Sequence, residues 1–224
     1  MEDWDNVKGS GPEKPEAFKA FKGTFITFEG CEGSGKTTQA EILKDYFLDR
    51  GMDALLCRQP GGTPVGQKIR DMLLDPECSD LLPITETLLF AADRAQQVAE
   101  VVVPALKQGH MVIMDRYIDS SLAYQGVGRG CGLEAVKNLN EWACGGVMPD
   151  MTIFLDLPVA EGLARAKTAG IDRIEGESLQ FHENVRHAYN MLMRIYSHRY
   201  RLIDGHGTPQ QVHARVVNEV SKVI

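Results

Sequence analysis

The sequence predicts an α/β fold, a three-layer arrangement with a central parallel sheet of about five strands and helices on both faces. Three observations carry this reading. From Thr24 onward, short apolar runs alternate with longer amphipathic stretches, the pattern of strands joined by crossover helices. A glycine-rich run connects the first apolar segment to the first amphipathic one. The chain has 224 residues, of which 43% are hydrophobic and 25% charged, the size and composition of one well-buried soluble domain.

Taken in order, residues 1–20 mix both charge signs with Gly, Ser and Pro and show no period, so they read as a flexible leader before a single domain over 21–224. The alternative is a short helix over 15–21 that docks Phe18 and Phe21. Strands are expected at Thr24–Glu29, 52–58, Met111–Asp115, Met151–Asp156 and Tyr200–Asp204. A helix follows Thr37, with Ile42, Leu43, Tyr46 and Phe47 at core spacing. Thr63-Pro64 and Thr208-Pro209 each set an N-cap hydroxyl before a proline at the first helical position, and Thr208 with Gln211 fits a capping box. The last two helices carry core stripes: Phe181, Val185, Ala188, Leu192 and Ile195 on one, Val212, Val216, Val220 and Val223 on the other.

The formal net charge of −7 argues against an extended nucleic-acid surface, so any anionic ligand needs arginines concentrated at a site. Cys31, Cys57, Cys78, Cys131 and Cys144 are scattered and form no C-x-x-C pair, which indicates neither a disulfide framework nor a zinc site and suggests the cytoplasm. No apolar stretch approaches the ~18 residues of a membrane span.

The chemistry starts at Gly30-Cys31-Glu32-Gly33-Ser34-Gly35-Lys36-Thr37, which satisfies the G-x-x-x-x-G-K-[ST] phosphate-cradling pattern at every fixed position. Backbone N–H groups of such a loop point at phosphate oxygens, the lysine adds a cation, and the threonine hydroxyl faces Mg²⁺. Set between a strand and a helix, the run specifies the P-loop NTPase version of the fold. ATP is the expected ligand, and Thr38 completes its binding set. At the carboxyl end of a later strand, Asp115 is placed to help Thr37 hold Mg²⁺, and Arg116 to grip phosphate. Read alone, the Asp-Arg pair is equally an ion pair with no ligand.

Residues 113–125, with Ser120-Ser121, Ala123 and Tyr124-Gln125, resemble the signature of thymidylate kinases. Three further segments agree: Phe28-Glu29-Gly30 before the P-loop lysine, Arg58-Gln59-Pro60-Gly61-Gly62-Thr63, and Leu88-Leu89-Phe90-Ala91-Ala92-Asp93-Arg94. The resemblance implies that Phe90 stacks on thymine and that Arg94, four residues on, bonds the base edge. It further implies that Arg58 binds the acceptor phosphate after a cis Gln59-Pro60 bond, that Glu32 and Tyr124 sit by the deoxyribose, and that Ser121 and Gln125 line the base pocket. Gln59 stands where bacterial relatives commonly have Glu, which removes a charge there and leaves the role of Arg58 intact.

Residues 163–175 resemble the bacterial type of lid, spanning about 164–177. In that type lid cations close over the transferring phosphoryl group, and the P-loop here has no arginine of its own. Arg165 and Lys167 are then the expected catalytic cations beside Lys36 and Arg116, with Arg173 a further candidate. Ala169 stands near a position where relatives often have arginine, so this lid is less basic, and a solvated helix end is the alternative reading.

The reaction implied is ATP + dTMP → ADP + dTDP with Mg²⁺, by a homodimer paired through helices beside the nucleotide site. A nucleoside monophosphate, with a second pKa of about 6, already carries an ionised oxygen near neutral pH, so no Ser-His or Cys-His activation is needed and the six histidines are read as non-catalytic. The alternatives are another nucleoside or nucleotide kinase on this scaffold, or a P-loop switch or assembly ATPase.

Overall fold

The computed structural model describes residues 21–166 and 172–223. The expected leader and the segment 167–171, which includes Lys167 and Ala169, lie outside the described residues. Five strands, β1 (Thr24–Glu29), β2 (Ala54–Arg58), β3 (Met111–Asp115), β4 (Met151–Asp156) and β5 (Tyr200–Asp204), form one parallel sheet in the order β2-β3-β1-β4-β5. The second strand starts two residues later than expected, because the chain at Met52 is still tied back to the preceding helix. There Met52 N–H bonds the Phe47 carbonyl at 3.1 Å and Gly51 takes a φ of 73°.

Side-chain alternation along the strands builds two cores. Phe25, Val112, Met114 and Phe154 face one side of the sheet, and Ile26, Phe28, Ile113, Ile153 and Leu155 face the other. The second face is covered by α1 (Lys36–Leu48), through Leu43 and Phe47, and by the C-terminal helix Pro209–Val220, through Val212, Val216 and Val220. Each such apolar side chain removed from water stabilises the fold by about 1.5–3 kcal/mol.

Between these, α2 (Pro64–Leu74) is capped by Thr63, whose hydroxyl accepts from Gly66 N–H. The helix α3 (Pro83–Gln97) runs through a π-helical turn, Val98–Val102, into α4 (Val103–Gln108). Pro104 accounts for the widening, since it has no N–H and its ring clashes with the carbonyl four residues back. After β3, the short α5 (Ile118–Ser121) opens into a second π-helical stretch, Leu122–Gly128, followed by α6 (Leu133–Ala143), α7 (Val159–Ala166), α8 (Leu179–Ile195) and α9, the helix Pro209–Val220 already described. The capping box of Thr208 and Gln211 is present.

Two stripe residues fall outside the core. Ile195 is 58% exposed and Val223 45% exposed, because the first ends its helix and the second lies beyond the end of α9. Ile42 and Tyr46 flank the buried pair Leu43 and Phe47 and are themselves half-buried.

Candidate active site

The strand register gathers the chemistry at one sheet edge. Phe28 and Arg58 both pair with Asp115, so the loop after β1, the end of β2 and the loop after β3 leave the sheet side by side. Gly33 and Gly35 take φ of 65° and 94°, and a Cβ at Gly33 would meet the Gly162 carbonyl of α7 at 1.9 Å. Gly35 starts α1 with no side-chain cap, which leaves the N–H groups of the first turn directed out of the helix toward an anion.

Lys36 is buried, with Nζ donating to the Cys31 carbonyl at 2.7 Å. Burial, and then the Arg116 cation, hold its ammonium below its usual pKa. Arg116 adopts φ 68°, a left-handed conformation that costs a non-glycine residue about 1–2 kcal/mol. Glu29 holds this turn, accepting from Tyr117 N–H at 2.8 Å, Ser120 Oγ at 2.6 Å and Tyr189 OH at 2.8 Å. Burial raises the Glu29 carboxyl to about 7.

Arg116 donates to Glu32 Oε1 at 2.7 Å, and Tyr124 OH donates to the same oxygen at 2.8 Å. Burial pushes the Glu32 carboxyl up, but Arg116, Lys36 and the tyrosine hydroxyl more than offset it and bring it down to about 2. Thr37 Oγ1 donates to Asp115 Oδ2 at 2.5 Å, while Asp115 Oδ1 is buried without a protein partner. A hydroxyl and a carboxylate with an unmatched buried oxygen form a hard, oxygen-only donor set, which fits Mg²⁺.

All eight residues expected at the acceptor site line a single cavity: Glu32, Arg58, Phe90, Arg94, Arg116, Ser121, Tyr124 and Gln125. The Gln59-Pro60 bond is cis, as expected. Arg94 is 1% exposed and already donates to Gln59 Oε1 and Ser121 Oγ at 3.0 Å, to the Tyr117 carbonyl at 3.1 Å, and to Asn140 Oδ1. Because Arg94 can only donate, it turns the oxygen of Gln59 toward itself, and the Gln59 amide nitrogen is buried with no protein partner.

The expected catalytic cations are spread more widely. Arg165 lies exposed in the last turn of α7 and is not among the residues lining the cavity, and Lys167 is outside the described residues. Arg173 is committed elsewhere: Nε donates to the Leu73 carbonyl at 2.9 Å and Nη2 lies 2.8 Å from Glu86 Oε2.

Arg70 of α2 is a cavity residue that the sequence did not single out, because a lone arginine on an amphipathic helix reads as a solvated charge. Burial, and then the like charge of Arg58, hold its pKa below the usual value, so two guanidiniums face one space suited to an anion.

The family model described as Thymidylate kinase matches residues 28–216. The chain belongs to the thymidylate kinase family. Its curated relatives include the thymidylate kinase of Caldanaerobacter subterraneus subsp. tengcongensis, 46% identical over 203 residues that cover 91% of this chain and 97% of the relative. That of Thermoanaerobacter sp. is 44% identical over 91% of this chain and 100% of the relative. The crystal structure of thymidylate kinase from Ehrlichia chaffeensis superposes with a TM-score of 0.74 at 30% identity, covering 88% of this chain and 98% of that one. As a thymidylate kinase this chain phosphorylates dTMP with ATP, and neither alternative, another nucleotide kinase or a switch ATPase, is favoured.

Proposed function

We propose that the transfer from ATP to dTMP is carried by the P-loop and the cavity beside it, with the residues acting as follows. Gly30, Cys31, Glu32, Gly33, Ser34, Gly35, Lys36, Thr37 and Thr38 bind the triphosphate. Lys36 and Arg116, with Arg165 and Lys167 from the lid, meet the charge that spreads over the transferring group. Mg²⁺, held by Thr37 and Asp115, supplies further neutralisation of phosphate charge when bound. Arg58 and Arg70 hold the acceptor phosphate so that its ionised oxygen faces the donor, Phe90 stacks on the base, and Glu32 and Tyr124 meet the sugar. Arg94 offers its one remaining N–H and Gln125 a carbonyl oxygen, the complement of thymine's keto oxygen and adjacent ring N–H.

The observation that carries this reading is the convergence of all eight acceptor residues on one cavity at the edge from which the P-loop leaves the sheet. A coupled ADP-release assay over dTMP, dUMP, dCMP, dGMP and AMP tests it, with Lys36→Ala as the inactive control. Preference for AMP or dCMP would overturn the acceptor assignment. ADP formation indifferent to every acceptor would point instead to a nucleotide-driven switch.

The protein is further proposed to act as a homodimer in the cytoplasm. An apolar groove between α3 and α6, lined by Leu88, Ala92, Leu139 and Trp142, supports the dimer; Leu88 is 52% exposed and Trp142 72% exposed. For the compartment, the support is that all five cysteines are free and that no helix among the described residues is long and apolar enough to cross a membrane.

A further inference from the structure

Glu86 lies on α3 at the same helical face as Phe90 and Arg94, which follow it at intervals of four residues, and it is 1% exposed. Its carboxylate serves three partners. Oε1 accepts from Gln125 Nε2 at 2.8 Å, both oxygens lie 3.2 Å from Arg129 Nε, and Oε2 lies 2.8 Å from Arg173 Nη2. Arg129 is fixed in turn by Glu177, and Arg173 by the Leu73 carbonyl. Two arginines that stay charged keep Glu86 ionised, so it presents only acceptors.

A carboxylate that can only accept dictates the orientation of the amide bonded to it. Gln125 must turn its NH₂ toward Glu86, since the reverse would set oxygen against oxygen in a buried place. The group that Gln125 then offers to the cavity is its carbonyl oxygen. A carbonyl there accepts from the ring N–H of thymine or uracil and opposes the ring nitrogen lone pair of cytosine. The terminal amide torsion is soft and two-fold, so side-chain sterics alone would not make this choice.

We propose that Glu86 is a positioning residue that sets the acceptor site's selectivity for a pyrimidine bearing a ring N–H beside its keto group, by holding the Gln125 amide in one orientation. The proposal rests on the dTMP reading above. It also gives Arg173 a role distinct from phosphoryl transfer: within the lid span it is tied to the Leu73 carbonyl and keeps Glu86 charged.

Glu86→Gln provides the test. The two arginines claim the new amide's oxygen, which turns its NH₂ toward Gln125, and Gln125 responds by turning over and presenting NH₂ to the cavity. The ratio of kcat/KM for dTMP to that for dCMP is expected to fall at least about tenfold, with the dTMP to dUMP ratio unchanged, because thymine and uracil share the ring N–H. In a Gln125→Leu background, Glu86→Gln should lower the dTMP to dCMP ratio no further. Equal loss for all three acceptors, or a further drop in that background, would overturn the proposal, because a residue that only supports the fold cannot tell these bases apart. Should Glu86→Gln not fold, Glu86→Asp keeps the charge but withdraws the acceptor from Gln125, and the same split between dTMP and dCMP is required of it. A wild-type enzyme with no preference for dTMP over dCMP would defeat the underlying dTMP reading, whereas intact wild-type preference retained in the variant would defeat only the role of Glu86.

Discussion

Replacing Glu32 by Gln is expected to destabilise the ligand-free protein by about 3 kcal/mol at pH 7, with much of the loss recovered when nucleotide binds. The figure follows from the carboxylate's surroundings. Arg116 at 2.7 Å and the Tyr124 hydroxyl at 2.8 Å hold Glu32 in a setting only 14% exposed. The depression from 4.5 to about 2 corresponds, at about 1.4 kcal/mol per pH unit, to about 3 kcal/mol. Breaking one side of a largely buried ion pair gives a similar cost of about 3–5 kcal/mol, because Arg116 is left without its counter-charge. For a chain of this size the melting temperature should fall by about 6–12 °C.

Because the folded-state pKa lies below the unfolded one, the contribution is complete above about 4.5 and is lost as pH falls through about 2. Glutamine does not titrate, so the gap between the two proteins should narrow across that window. In the roles proposed above, phosphate oxygens of ATP or dTMP give Arg116 another anion, so ligand should rescue the variant more than it stabilises wild type. Urea unfolding at pH 7 and pH 3, with and without nucleotide, reads all three effects. A gap under about 1 kcal/mol at pH 7, or one equally large at pH 3, would refute the reasoning.

Three other outcomes are expected. Phe90→Ala should weaken dTMP binding by about 5- to 150-fold while leaving ATP affinity within twofold, as calorimetry would show, because base stacking contributes about 1–3 kcal/mol; equal loss for both ligands would mark Phe90 as core. Asp115→Asn should raise the Mg²⁺ concentration for half-maximal rate by about tenfold or more, with little change in the KM for dTMP. Leu88→Glu sets a charge in the apolar groove between α3 and α6 and should yield a monomer in analytical ultracentrifugation, against a dimer for wild type.

Much of the site was readable because it is local. The P-loop joins consecutive elements, the Thr63 and Thr208 caps act over three residues, and Phe90 and Arg94 share a face through helical spacing alone. The parallel alternation of strands and helices likewise followed from short-range periodicity. Ile195 and Val223 departed from their stripes at the ends of elements, where a period has no further residues to enforce it.

Residue types and their spacing specify the kind of chemistry: a triphosphate loop, a carboxylate and an arginine at a strand end, and an aromatic and an arginine on one helix. How the charges are shared depends on the packing. It set Arg70 beside Arg58 in the cavity lining, drew Arg173 to Glu86 and Leu73, and bound Gln125 to a carboxylate 39 residues distant in the chain. The reason is physical. A helix face or a cap is set by bonds and torsions over a few residues. The partner of a buried ion depends on which segments packing brings together, and desolvation makes that pairing compulsory once it forms.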